Sequence, residues 1–139
     1  MAGTKILADT GPLVAYISRT DQHHRWARAT FGSFYEPIHT CEAVVSEALF
    51  LLHSAGLDAE PLLQLLERGT VRTVFRLDEN RADVLNLIRK YTDQSMSLAD
   101  ACLVRMAELS DSSQIFTTDR DFLVYRRKGR GVIPLLAPF

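Results

Sequence analysis

Cysteine, lysine and long apolar runs are all scarce in this chain of 139 residues. The only cysteines are Cys41 and Cys102. Two do not make a disulfide framework, and without CxxC spacing they do not make a zinc cage. Each is flanked by apolar or helix-forming residues and reads as a small buried hydrophobe of a reducing, cytoplasmic protein. No apolar run approaches the roughly 18 residues of a membrane span. Met1–Ala8 carries one lysine and no long apolar core, which does not make a secretory leader. Neither charge sign dominates: 16 Lys+Arg face 17 Asp+Glu, for a net charge of −1. That balance excludes a generally basic nucleic-acid coat but not local patches. Lysine supplies only 3 of the cations against 13 arginines, a bias toward the side chain suited to bidentate phosphate contacts. There is no Pro/Gly/Ser linker, internal repeat or low-complexity tract, so residues 1–139 read as one domain.

What the chain does have is an alternation of short β-type runs and longer helical patterns. Lys5-Ile6-Leu7-Ala8 is a buried-strand candidate ending at Asp9, and a helix opens near Pro12. Residues 25–34 carry a helix face, and Pro37-Ile38-His39 is a weak second strand. The spacing predicts a helix from Glu42 to Ala55, stopped by Gly56, and another from Pro61 to Glu67, ended near Gly69. Val71–Leu77 reads as a β-branched strand. Helical spacing returns from Arg81 to Tyr91 and from Ser97 to Leu109. Gln114–Thr117 is strand-like, and Val132–Leu135 is a last edge strand in which a proline is tolerated. Strands separated by helices define an α/β fold with a mainly parallel sheet. Ligands of such sheets sit beyond the carboxyl ends of the strands.

Four acids stand out against that frame. Asp9 and Asp119 follow strands and fall on the same sheet edge. Glu47, with Ala43, Val44, Phe50 and Leu51 one turn away, is expected on the apolar, inward face of its helix. Asp100, with Met96, Leu103 and Val104 as neighbours, is expected inward as well. An ionised carboxylate turned inward costs several kcal/mol or more without a cation, and neither acid has Lys or Arg at i±3 or i±4. A divalent metal is the economical partner. Each acid also has a local reading: Asp9 and Asp119 as helix N-caps, Asp100 in a capping box with Ser97, Glu47 against a distant arginine. It is the joint pattern that favours a shared site. A carboxylate set without zinc-type His or Cys suits Mg2+ or Mn2+, ions that activate water against a phosphodiester. Thr117, two residues before Asp119, is placed to hold a water or phosphate oxygen. Arg120, Arg126 and Arg127, in a segment richer in cations than acids, read as a phosphate-backbone track beside the site. The histidines carry no assigned role.

The ordered set Asp9-Thr10-Gly11-Pro12, Glu47, Ser97-Leu98-Ala99-Asp100-Ala101 and Thr117-Thr118-Asp119-Arg120-Asp121 resembles the PIN domain, and more narrowly the VapC toxins of toxin–antitoxin pairs. The resemblance implies a three-layer α/β/α sandwich with about five mainly parallel strands. It also implies an Mg2+- or Mn2+-dependent ribonuclease with Asp9, Glu47, Asp100 and Asp119 as metal-binding and catalytic acids, with Asp93 and Asp121 in support. The partners it implies are RNA, a cognate VapB-like antitoxin and a second copy of the chain. Glu47 is left open between ligand and base. The alternatives are a PIN-type RNA-processing nuclease outside the toxins and an inactive RNA-binding scaffold. An aspartic-protease reading of Asp9-Thr10-Gly11 fails, because that fold is all-β and three acids would go unexplained. A haloacid-dehalogenase-type phosphatase fails because Gly11 stands where its second acid belongs.

Overall fold

The computed structural model describes residues 3–139. Met1 and Ala2, the start of the Met1–Ala8 stretch read above, lie outside the described residues. The chain runs β1 (Lys5–Ala8), α1 (Thr10–Ile17), α2 (His24–Phe31), β2 (Ile38–Thr40), α3 (Glu42–Ser54), α4 (Glu60–Glu67) and β3 (Val71–Thr73). It continues through α5 (Arg81–Lys90), α6 (Leu98–Leu109), β4 (Ser113–Phe116), β5 (Arg126–Arg127), β6 (Gly131–Val132) and β7 (Leu135–Leu136). Single 3-10 turns lie at Asp78–Asn80, Thr92–Gln94 and Arg120–Leu123.

Five strands form one parallel sheet in the order β3-β2-β1-β4-β7, flanked by six helices in a PIN-like α/β/α sandwich. The short apolar β1 is central because both its faces are covered, as parallel sheets require. Ala8 and Phe116 are register partners, and the Phe116 ring packs on Trp26, Phe31 and Phe34. Side chains alternate along a strand, so Leu7 faces the other layer, beside Met106 of α6.

Two expectations need correction. The strand foreseen over Val71–Leu77 ends at Thr73, because it is an edge strand whose one neighbour, β2, ends at the paired Thr40. The last strand is Leu135–Leu136, not Val132–Leu135. Gly131–Val132 pairs instead with Arg126–Arg127 in a small antiparallel hairpin, turned through Lys128 and Gly129 at positive φ. The helix stops at Gly56 and Gly69 occur where expected, with φ of +69° and +72°. Cys41 and Cys102 are free and buried.

Candidate active site

The carboxyl ends of β1 and β4 deliver Asp9 and Asp119 side by side. Asp9 is 5% exposed and caps α1: its Oδ1 accepts from the Thr10 amide at 2.8 Å. Its other oxygen accepts from the Thr117 hydroxyl at 2.7 Å, and Thr117 Oγ1 in turn accepts from the Asp119 amide at 2.9 Å. One buried threonine therefore ties together two acids that are 110 positions apart in the chain. Gly11 allows the close approach of α1 to this loop, since a Cβ there would collide with the Thr118 hydroxyl.

α6 brings Asp100. Ser97 caps the helix by accepting from the Asp100 amide at 3.0 Å. A cap and a place in the pocket thus coexist: the amide of Asp100 serves the helix and its side chain lines the pocket. Oδ2 of Asp100 accepts from the Tyr125 hydroxyl at 2.9 Å. Tyr125 is fully buried, with edge-on contacts to Tyr91 and Phe122. Burial first, then the Asp100 charge, pushes its phenol well above the ordinary range, so it stays protonated as a donor. Asp119 caps the following 3-10 turn by accepting from the Asp121 amide at 2.8 Å. Carboxylate oxygens of Asp100, Asp119 and Asp121 all lie within 4.8 Å of one another.

Glu47 reaches the same pocket from α3, with its Oε2 accepting from the Thr10 hydroxyl at 3.0 Å. It is exposed, which corrects the expectation of an inward position. The buried seam of α3 is Val44, Ala48 and Leu52, whereas Phe50 and Leu51 beside Glu47 are 68% and 44% exposed. Two of the four neighbours one turn away, Phe50 and Leu51, thus mark an outward face, and only Val44 belongs to the buried seam.

The pocket has a volume of ≈ 370 Å³ and is lined by Asp9, Glu47, Asp100, Asp119 and Asp121, with no Lys, Arg or His. None of the five takes part in an ion pair among the described residues. Burial pushes the Asp9 carboxyl up to about 7, with Asp100 and Asp119 adding to the rise against its two hydrogen bonds. Burial also raises Asp100. Crowded, dehydrated carboxylates without a counter-ion suit a hard dication, whose ligands are oxygens.

Asp93, in the Thr92–Gln94 turn, is exposed and does not line the pocket. Arg120 is exposed next to Asp119, its guanidinium 4.7 Å from the centre of the Phe139 ring. Arg126 and Arg127 are not brought to the acids. The Arg126 head group donates to the carbonyls of Leu123, Val124 and Tyr125, and Arg127 donates to Asp111 O at the far end of α6. A run of cations in sequence thus divides into Arg120, next to Asp119 in the chain but outside the pocket lining, and Arg126 and Arg127, which brace backbone. Tyr125 escaped the sequence reading, because a lone tyrosine carries no spacing signal, and Thr10 was quoted in its motif without a role.

A parallel α/β/α sandwich with acids gathered beyond its strand ends carries those acids where sheets of this kind bind ligands. The chain belongs to the PIN-domain family: the PIN domain model matches residues 6–128. The family assignment suggests a nuclease, since PIN domains are typically metal-dependent nucleases. No curated protein matches the chain.

Proposed function

We propose that the chain is an endoribonuclease that hydrolyses RNA phosphodiester bonds with Mg2+ or Mn2+, and that it is the toxin of a toxin–antitoxin pair. Its partners in this reading are RNA, a VapB-like antitoxin that covers the pocket, and a second copy of the chain, all in the cytoplasm. No helix among the described residues is long and apolar enough to cross a membrane. The observation that carries the nuclease reading is the convergence of five carboxylates on one pocket that holds no cationic side chain.

Asp9, Asp100 and Asp119 would hold the ion, with Glu47 as a fourth ligand or as the base and Asp121 in support. A bound dication supplies positive charge that polarises the phosphodiester and makes water easier to deprotonate. The chain's own groups do the positioning. Thr117 fixes Asp9 and Asp119 relative to each other, and Tyr125 fixes the rotamer of Asp100. Glu47 is engaged through one oxygen by Thr10, which leaves the other to receive the proton of an attacking water. Arg120, next to Asp119 in the chain and exposed, would contact the RNA backbone. Arg126 and Arg127, whose head groups already have partners, contribute less.

The purified chain, incubated with total RNA in Mg2+, Mn2+ or EDTA, is expected to cut in either metal and to stop in EDTA. Asp9→Asn is expected to remove the cutting without unfolding the chain. Binding without cleavage in both metals would favour the scaffold alternative. Growth arrest on expression, relieved by a small upstream gene product, separates a toxin from a solitary processing nuclease.

A further inference from the structure

The opposite edge of the sheet carries a site of the opposite sign. The register pairs Leu7 with His39 and His39 with Arg72. Lys5, two residues before Leu7, shares their face through the two-residue alternation of strands. Three basic side chains from three adjacent strands therefore stand together. With Ser33 and Tyr35, from the loop entering β2, they line a concavity of ≈ 370 Å³.

Lys5 and Arg72 are exposed, and among the described residues neither makes an ion pair. The one acid in the lining is Glu36. Burial and then the charges of Lys5 and Arg72 lower the pKa of His39, with Glu36 opposing, so the imidazole is a neutral hydrogen-bonding group between two cations. Tyr35 is completely exposed and enters no aromatic pair among the described residues, which leaves its ring face open. A guanidinium fork and an ammonium beside a neutral imidazole match the oxygens of a phosphate. A free aromatic face beside them matches a stacked base. The acidic pocket, by contrast, has no Lys, Arg or His in its lining among the described residues.

We propose that this concavity binds the phosphate of a nucleotide unit, with Lys5 and Arg72 on the phosphate oxygens and Tyr35 against the base. The unit belongs either to an RNA strand or to a free nucleotide. In the first form the inference rests on the nuclease reading, and in the second it stands without it.

The test uses the intact chain in EDTA, which silences metal chemistry at the acids. ADP, inorganic pyrophosphate and a single-stranded RNA of about ten nucleotides are titrated against the parent, Lys5→Ala/Arg72→Ala and Tyr35→Ala. All three positions are exposed, and unchanged melting curves establish that the variants fold. Saturable binding is expected, weakened about tenfold or more by the double variant. The slope of log affinity against log salt for RNA is expected to fall by about 1.4, for two lost contacts to a single strand. Tyr35→Ala is expected to weaken ADP or RNA and to leave pyrophosphate unchanged. An effect confined to RNA assigns the site to a strand, and one on ADP assigns it to a free nucleotide. No saturable binding of any probe, or equal binding by the double variant, overturns the proposal. Cleavage in Mg2+ is read separately. A parent that binds here but cuts nothing removes the nuclease reading alone, and one that cuts while the double variant binds as the parent does removes this site alone.

Discussion

The hydroxyl of Tyr125 donates to Oδ2 of Asp100 at 2.9 Å, although the residues lie 25 positions apart and only Asp100 lines the pocket. Tyr125 is a positioning residue, holding the carboxylate by one hydrogen bond from within the core. Tyr125→Phe keeps the ring contacts and removes that bond. Stability is expected to fall by about 1 kcal/mol, and Mg2+ affinity by about tenfold, as for other partners that orient a metal ligand. Metal titration of cleavage, with a thermal melt beside it, checks this. An unchanged metal midpoint would show that Asp100 needs no such orientation.

Asp9→Asn is expected to have opposite effects on stability and activity. The substitution removes a buried charge that has only hydrogen bonds, and no counter-ion, to hold it. In metal-free buffer at pH 8 the variant is expected to melt several degrees above the parent, since about 1 kcal/mol shifts a domain of this size by roughly 3 °C. Cleavage is expected to disappear. A variant that melts lower than its parent would show that the carboxylate is well compensated without metal.

The same group sets a pH dependence. Asp9 rises from 3.8 to about 7 on folding, so between those values the folded chain holds a proton that the unfolded chain releases. The resulting stability is complete below about pH 4 and is lost as the pH rises through 7, a contribution of about 4 kcal/mol between the limits. The raised Asp100 acts in the same direction. Denaturant melts without metal are expected to show lower stability at pH 8 than at pH 5.5. Added Mg2+ should raise the pH 8 value more than the pH 5.5 value, because it binds the deprotonated acids.

Arg120→Ala and Arg126→Ala separate a phosphate contact from a brace. Arg120→Ala is expected to weaken RNA binding and lower the salt slope by about 0.7 for a single strand. Arg126→Ala is expected to leave that slope unchanged. It should cost about 1 kcal/mol of stability, because its guanidinium holds the carbonyls of Leu123, Val124 and Tyr125. The reverse pattern would place the RNA track along the hairpin.

The parts of the fold legible in sequence were those where local signals and tertiary demands agree. Lys5–Ala8 is a short apolar run and becomes the central strand. The spacing over Glu42–Ser54 and Leu98–Leu109 gives helices whose stops or caps, Gly56 and Ser97, are local. Asp9 and Asp119 were legible as neighbours because a parallel sheet puts all its carboxyl ends on one edge. The outward turn of Glu47 was not legible, since Phe50 and Leu51 look like core residues and only the seam of Val44, Ala48 and Leu52 is buried. The Arg126–Arg127 hairpin strand was hidden for another reason. Two arginines have no strand pattern of their own, and their pairing depends on Gly131 and Val132 across a turn that takes Lys128 and Gly129 to positive φ.

The pairing of β1 with β4 spans more than a hundred residues, and the pocket needs acids from both strand ends as well as from two intervening helices. While the ribosome is still making the chain, the first strand emerges long before its partner. A nascent chain therefore carries a disassembled pocket until the segment through Asp121 has left the exit tunnel. Under the nuclease reading, the message being translated meets no working blade before that segment emerges, and an inhibitor need not arrive earlier.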